Sequence, residues 1–156
     1  TSAEGHFLVG LVLGQAALTK GRSGRLAVAE EVRARARRAL ALDPRHDGAH
    51  HLLGRWHAEA RRLSGLSRFF ARTFLGGGIL GESSWEEAIE HLERAVALRP
   101  AWIYHRLDLA EVYVDRKRYA DARPHLAAID TLPLGDVMDP VYKQRAADLL
   151  RRIEGR

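Results

Sequence analysis

The sequence predicts an all-α chain, a stack of antiparallel helical hairpins closed by a C-terminal helix, and three observations carry the prediction. First, RALALDP (Arg38–Pro44) and RAVALRP (Arg94–Pro100) are nearly the same heptapeptide, each ending an apolar-periodic segment with a proline that a helix cannot continue through. Second, AEGHFLVGLVLGQ from Ala3 aligns with DGAHHLLGRWHAEA from Asp47, so that His6 matches His50 and Gly10 matches Gly54. Third, IYHRLDLAEVYVD from Ile103 has Ala110 at that glycine position and Ala122 twelve residues later, the spacing at which small residues face each other across a hairpin.

Unit one spans about 3–44. Its first segment, HFLVGLVLGQAAL (His6–Leu18), has the apolarity of a signal core, but no basic flank precedes it and no cleavage site follows it sensibly, so a buried helix is expected. That segment is apolar on both sides and the chain begins without Met, which predicts trimming and an upstream segment, a further helix or repeat, covering the outer side. Unit two spans 47–100 and separates Gly54 from Ala88 by 34 residues, 22 more than the usual twelve. The surplus falls in an insertion, 61–84, that contains RLSGLSRFFARTFLGGGILGESS. Unit three, 103–132, keeps the standard length. A closing helix at 139–153 follows: Asp139 is placed to cap, Pro140 suits the first turn, and Tyr142, Ala146, Leu149 and Ile153 fall on one side. The whole chain, 1–156, reads as one domain, long enough to bury a core without staples.

Composition excludes more than it assigns. There is no cysteine, so neither a disulfide framework nor a thiolate metal site exists, and neither redox compartment is excluded. The net charge is +5, but the 22 arginines interleave with carboxylates, as in EEVRARARR and EHLER, which is the pattern of solvated helix faces. A nucleic-acid partner would need a basic stripe with exposed aromatics and is not expected. Arginine, alanine, leucine and glycine have GC-rich codons, which points to a bacterial source. No run of roughly twenty apolar residues occurs, so a soluble chain without a transmembrane segment is expected. The compartment stays open, since any export signal or anchor upstream is not visible.

HLLGRW (51–56), the insertion, then SSWEEAIEHLERAVALRPAW (83–102) occur in an order that resembles the regulator of microtubule dynamics family, over nearly the whole chain. The small residues and unit-ending prolines resemble tetratricopeptide repeats more generally. The resemblance implies a right-handed α-solenoid with a concave face. It also implies the associations of that family, which are protein tethering, microtubule association in animals and phospholipid binding by the helical-repeat domain.

Helical register places Phe7, Leu11 and Gln15 of unit one, His51, Arg55 and Glu59 of unit two, and Tyr104, Leu107, Glu111 and Val114 of unit three on that concave face. Arg55, helped by His51, suits a carboxylate or phosphate, unless it pairs with Glu59 one turn on. In the insertion, Phe70 and Phe74 lie four apart with Phe69 beside them and Arg68 and Arg72 opposite, an amphipathic turn or two. Such a segment either extends and fills the hairpin or forms a lid over an apolar groove. His50 and His57 share a helix face but are read as packed within the hairpin, not as metal ligands, because no carboxylate stands at a suitable spacing. Trp56, Trp85 and Trp102 are read as core at the unit junctions.

GGGILGESS lacks the strand and the Lys-Ser or Lys-Thr pair of a phosphate loop, and no nucleophile elbow, HExxH or kinase signature occurs. The expected function is therefore a non-catalytic module without cofactor or metal. It binds a phospholipid-like hydrophobic ligand under the insertion, at Phe7, Leu11, His51, Arg55, Phe70, Phe74, Tyr104, Leu107 and Glu111, as a tether or carrier. The alternative is a peptide- or protein-binding adaptor with the insertion as core packing.

Overall fold

The computed structural model describes residues 2–18, 22–62 and 81–156. Among the described residues there are seven helices and no strand: α1 (Ala3–Leu18), α2 (Arg22–Leu42), α3 (Asp47–Arg62), α4 (Trp85–Leu98), α5 (Ile103–Asp115), α6 (Tyr119–Thr131) and α7 (Asp139–Ile153). The all-α expectation is met. Helices adjacent in sequence are adjacent in space, α1 on α2, α3 on α4 and α5 on α6, with α2 against α3 and α4 against α5 joining the pairs and α7 lying on α5 and α6. The odd-numbered helices α1, α3, α5 and α7 also touch in succession and form one row. Phe70 and Phe74, and most of the insertion with them, lie outside the described residues.

Pairing within a hairpin depends on small residues. A Cβ on Gly54 of α3 would stand 2.7 Å from Leu92 Cγ and 3.1 Å from the Ala88 carbonyl oxygen, so the backbones of α3 and α4 meet at this point. Gly10 of α1 does the same against α2, where a Cβ would lie 3.2 Å from Arg35 Cβ, and it also receives Leu52 of α3, at 2.8 Å. The Gly10–Gly54 equivalence and the Gly54–Ala88 contact read from the sequence are therefore seen in the packing. Ala110 and Ala122 are both fully buried in the main core cluster, whose largest members include Leu92, Ile103, Leu107, Leu109, Ile129 and Ile153. Trp56 is buried and its indole N–H donates to the Ala29 carbonyl at 2.8 Å, tying α3 to α2. Trp85 packs against the core from its margin, and Trp102 lies half-buried beneath the Arg99 guanidinium, 3.9 Å from the ring centre.

The helix ends follow local chemistry. Ser84 caps α4, accepting from the Glu87 amide at 2.9 Å. At the end of α5, Lys117 takes a left-handed conformation (φ 58°) while its amide donates to Val114 and the Arg118 amide donates to Tyr113. This is the Schellman arrangement with lysine where glycine is usual. Asp139 does not cap as expected. Met138 occupies the cap position, and the buried Asp139 carboxylate instead accepts from the amides of Gly135 and Asp136 at 2.7 and 2.8 Å, folding the preceding loop onto the start of α7, with Pro140 in the first turn. No helix of the described residues is long and apolar enough to cross a membrane. On α1, Leu8, Val9 and Val12 are exposed.

Gly54→Ala drives a methyl into backbone and should lower stability by about 1–3 kcal/mol. Gly14→Ala, with nothing within 4 Å of the new carbon, should be neutral or gain up to about 1 kcal/mol from helix propensity. Urea unfolding of the two variants tests the close approach, and equal effects would refute it.

Candidate functional site

The row of odd-numbered helices brings the groove residues of units two and three together around one carboxylate. Asp108, on α5, is buried, and its Oδ2 accepts from His51 Nε2 of α3 at 2.8 Å and forms an ion pair with the Arg55 guanidinium of α3, whose Nε lies 3.1 Å away. Burial pushes the Asp108 carboxyl up, but the His51 hydrogen bond and the Arg55 charge outweigh it and hold the group below the usual aspartate value. The register reading placed His51 and Arg55 side by side correctly. It missed that they already hold a carboxylate of their own chain, because nothing in the residues of α3 announces an acid 57 positions away. The Arg55–Glu59 alternative is not the arrangement seen. Glu59 accepts from Arg62 at 2.7 Å, and Arg62 also reaches Asp115 of α5 at 2.7 Å.

Around this pair the face is aromatic and ionic. Arg55 lies 5.3 Å from the centre of the Tyr104 ring, His51 meets Tyr104 edge-on at 4.7 Å, and Tyr104 stacks on Tyr142 of α7 at 4.6 Å with 8° between the planes. Both tyrosines are half-buried. Next to them Arg145 of α7 donates to Glu111 of α5 at 2.6 Å. Burial and then the Asp108 charge raise the Glu111 pKa, with Arg145 opposing them. Neither Tyr142 nor Arg145 belonged to the expected site. Tyr142 had been placed only on the buried side of the closing helix, and its ring is shared between that packing and this face.

Of the expected groove residues, Leu107 is wholly covered and Phe7 partly so. Leu107 has no exposed surface and belongs to the core beneath the face. Phe7 is half-buried against α3, its ring so close to Gly48 that a Cβ there would meet it at 2.7 Å, and it tilts against His46 at 4.9 Å. Leu11 is half-buried and Gln15 exposed on α1, while Val114 packs on the core.

A second acid–imidazole pair, with a buried imidazole and a half-buried carboxylate, joins α3 to α5. His105 Nε2 meets Asp47 Oδ2 at 2.9 Å, and His105 Nδ1 is buried without a partner. Those facts fix the tautomer: Nε2 carries the proton and donates, and Nδ1 keeps a bare lone pair. Burial, and then the neighbouring His51, push His105 down to about 4, with Asp47 opposing, so the ring is neutral at pH 7.

The described residues thus define an all-helical protein of consecutive hairpins that presents a tyrosine and ion-pair face along one row of helices. The family described as Regulator of microtubule dynamics protein 1-3 matches residues 1–154, and the chain belongs to it. No curated protein matches the sequence.

Removing the shared carboxylate with Asp108→Ala strips His51 and Arg55 of their partner and should cost about 1–3 kcal/mol in urea unfolding. Asp108→Asn, which keeps an acceptor oxygen, should cost less, and an unchanged midpoint for both would show that the pairing does not hold α3 to α5. The acid response follows from the histidines. His105 and the buried His57 are both pushed down to about 4, burial being the first cause in each, so between pH 6.5 and 4 the unfolded chain binds protons that the folded chain refuses. Stability should therefore fall as pH drops through that window, by up to about 1.4 kcal/mol per pH unit per histidine. A flat profile of unfolding free energy from pH 6.5 to 4 would contradict it.

Proposed function

We propose that this chain is a non-catalytic binding module. In this reading the hairpins form a tetratricopeptide-like solenoid, α7 caps one end, and the face of α3, α5 and α7 takes a peptide segment of a partner protein. The observation that carries the reading is the state of Arg55. A phospholipid head would need a free cation at the rim of an apolar wall, yet Arg55 is spent on Asp108 and Leu107 is sealed in the core. What faces outward is the Tyr104–Tyr142 stack, flanked by the Glu111–Arg145 pair. Stacked tyrosines offer rigid amphipathic area, and ion pairs at a rim give orientation more than affinity, which suits a polypeptide with alternating apolar and charged groups. A second reading, a hydrophobic ligand carried under the insertion 61–84, draws on Phe70 and Phe74 and on the phospholipid binding that the family resemblance implies.

Peptides selected from a random display library on the wild-type chain should bind Tyr142→Ala/Arg145→Glu at least about tenfold more weakly, a loss of roughly 1.4 kcal/mol. The helical circular dichroism of that variant should be unchanged. Native mass spectrometry of the purified wild type decides between the readings. Co-purifying phospholipid, retained by the face variant and lost from Phe70→Ala/Phe74→Ala, would replace the peptide reading with the second one.

A further inference from the structure

On the opposite side of α3 from the tyrosine face, the α3–α4 hairpin gathers three imidazoles and a carboxylate. Ligand atoms of His57, Glu87 and His91 all lie within 4.8 Å of one another. His91 and Glu87 sit one turn apart on α4, and His57 comes from α3, where it matches Leu13 of the first hairpin. The carboxylate missing from the sequence reading of His50 and His57 is supplied by α4.

Hydrogen bonding fixes which nitrogens are free. The Pro44 carbonyl can only accept, so His50 Nε2, 3.1 Å away, carries a proton and donates to it. His50 Nδ1 is then a lone pair, and it lies 2.9 Å from His91 Nδ1, which must in turn be the donor. His91 Nε2 is left as a bare lone pair, 3.7 Å from the Glu87 carboxylate. Two acceptors thus face each other at a half-exposed flank of the hairpin, a donor set that suits a cation. The chain from Pro44 through His50 to His91 is the kind of outer hydrogen bonding that orients a metal-bound imidazole and fixes its tautomer.

Glu87 is free to serve. Ser84 and Glu87 have the spacing of a capping box, in which the glutamate would accept from the Ser84 amide. Here the Ser84 amide donates instead to His57 Nδ1, at 3.3 Å, and half of the Glu87 side chain stays exposed. Among the described residues that 3.3 Å contact competes with an ion, since either nitrogen of His57 can bind one only once it is released. It is long, and it belongs to the first turn of α4 at the mouth of the hairpin. Arg33 and Arg37 of α2 face Glu82, at 2.5 and 3.9 Å.

We infer that His57, Glu87 and His91 form a site for a divalent transition metal of the zinc class, with His50 as the residue that positions His91. Two neutral imidazoles and one carboxylate suit zinc over magnesium or calcium, and three protein ligands leave a fourth position for water.

The test uses the untagged full chain, stripped with a chelator and titrated calorimetrically with zinc chloride alone, with magnesium chloride as the contrast. One zinc per chain, a raised melting temperature and no magnesium response are expected. Glu87→Gln, at a half-exposed position that does not threaten the fold, and His91→Ala should each weaken zinc binding at least about tenfold, and His50→Gln should weaken it by about tenfold through His91. Cobalt in place of zinc should give the visible absorption of a four-coordinate ion, absent from His91→Ala. No zinc-dependent heat or melting shift in the wild type, or full binding retained in both Glu87→Gln and His91→Ala, would overturn the assignment.

Discussion

Two helices can approach closely only where side chains do not stand between them, and in this chain Gly54 and Ala88 remove the obstruction for α3 and α4. Everything on either side of α3 follows from that contact. Once the α3 and α4 backbones meet at Gly54, the polar residues around it on α3 are forced to the two flanks of the hairpin. His50 and His57 go toward α4, and His51 and Arg55 go toward α5. Gly10 repeats the device between α1 and α2, and the same position in α5, Ala110, is buried without exposed surface. A helical hairpin has an apolar face that it cannot cover by itself, so each pair leans on the next. The resulting row of α1, α3, α5 and α7 is the scaffold on which the polar face is built.

That scaffold is locked by electrostatics placed below the surface. Asp108 stands at the seam between α3 and α5 and holds a hydrogen bond and an ion pair from one helix, so it resists sliding of α3 along α5 as well as separation. Asp47 and His105 make a second crossing of the same seam with acid and imidazole exchanged between the helices. The exchange matters electrostatically. Asp108 keeps its charge because the His51 hydrogen bond and then the Arg55 guanidinium outweigh its burial, whereas His105 has one hydrogen-bond partner and a bare nitrogen in the core, and burial keeps it neutral. The outward ion pairs, Arg62 with Asp115 and Arg145 with Glu111, run along the same seams with more exposure and correspondingly less energetic weight.

How much of this was legible in the sequence depends on the range over which each interaction acts. The repeated RALALDP and RAVALRP segments, the small-residue spacing and the apolar side of 139–153 are local, and they located the hairpins, the last helix and the Gly54–Ala88 contact. Register along a single helix was legible too, since His51, Arg55, Tyr104 and Glu111 do share a face. Depth was not. Leu107 lies one turn from Tyr104 on α5 yet sits wholly in the core, because the crossing of α5 over its neighbours, and not its own periodicity, decides which turn is covered. Partners between units were equally hidden: Asp108 looks like any helix-surface acid in IYHRLDLAEVYVD, and only the packing of α5 beside α3 makes it the partner of two side chains. Asp139 shows a smaller failure of the same kind. An aspartate before proline reads as a cap, but the loop of Gly135 and Asp136 turned its amides toward the carboxylate first.

The histidines show why residue type alone misleads in a repeat. His6, His50 and Arg106 occupy equivalent positions in the three units, and each binds what its own second helix offers. His6 Nδ1 lies near Arg35 at 3.3 Å, His50 meets His91, and Arg106 lies near His125 Nδ1 at 3.4 Å. Two of these contacts set a guanidinium donor against an imidazole, which can accept, and need nothing more. The middle one sets two imidazoles together, and two neutral rings bond only if their tautomers are ordered in sequence. Pro44, the last residue of the first RALALDP segment, supplies that order by accepting from His50. The repeat boundary that ends one hairpin therefore fixes the protonation pattern inside the next. The cluster of His57, Glu87 and His91 arises where that imposed order stops, at a lone pair with no donor left to meet it.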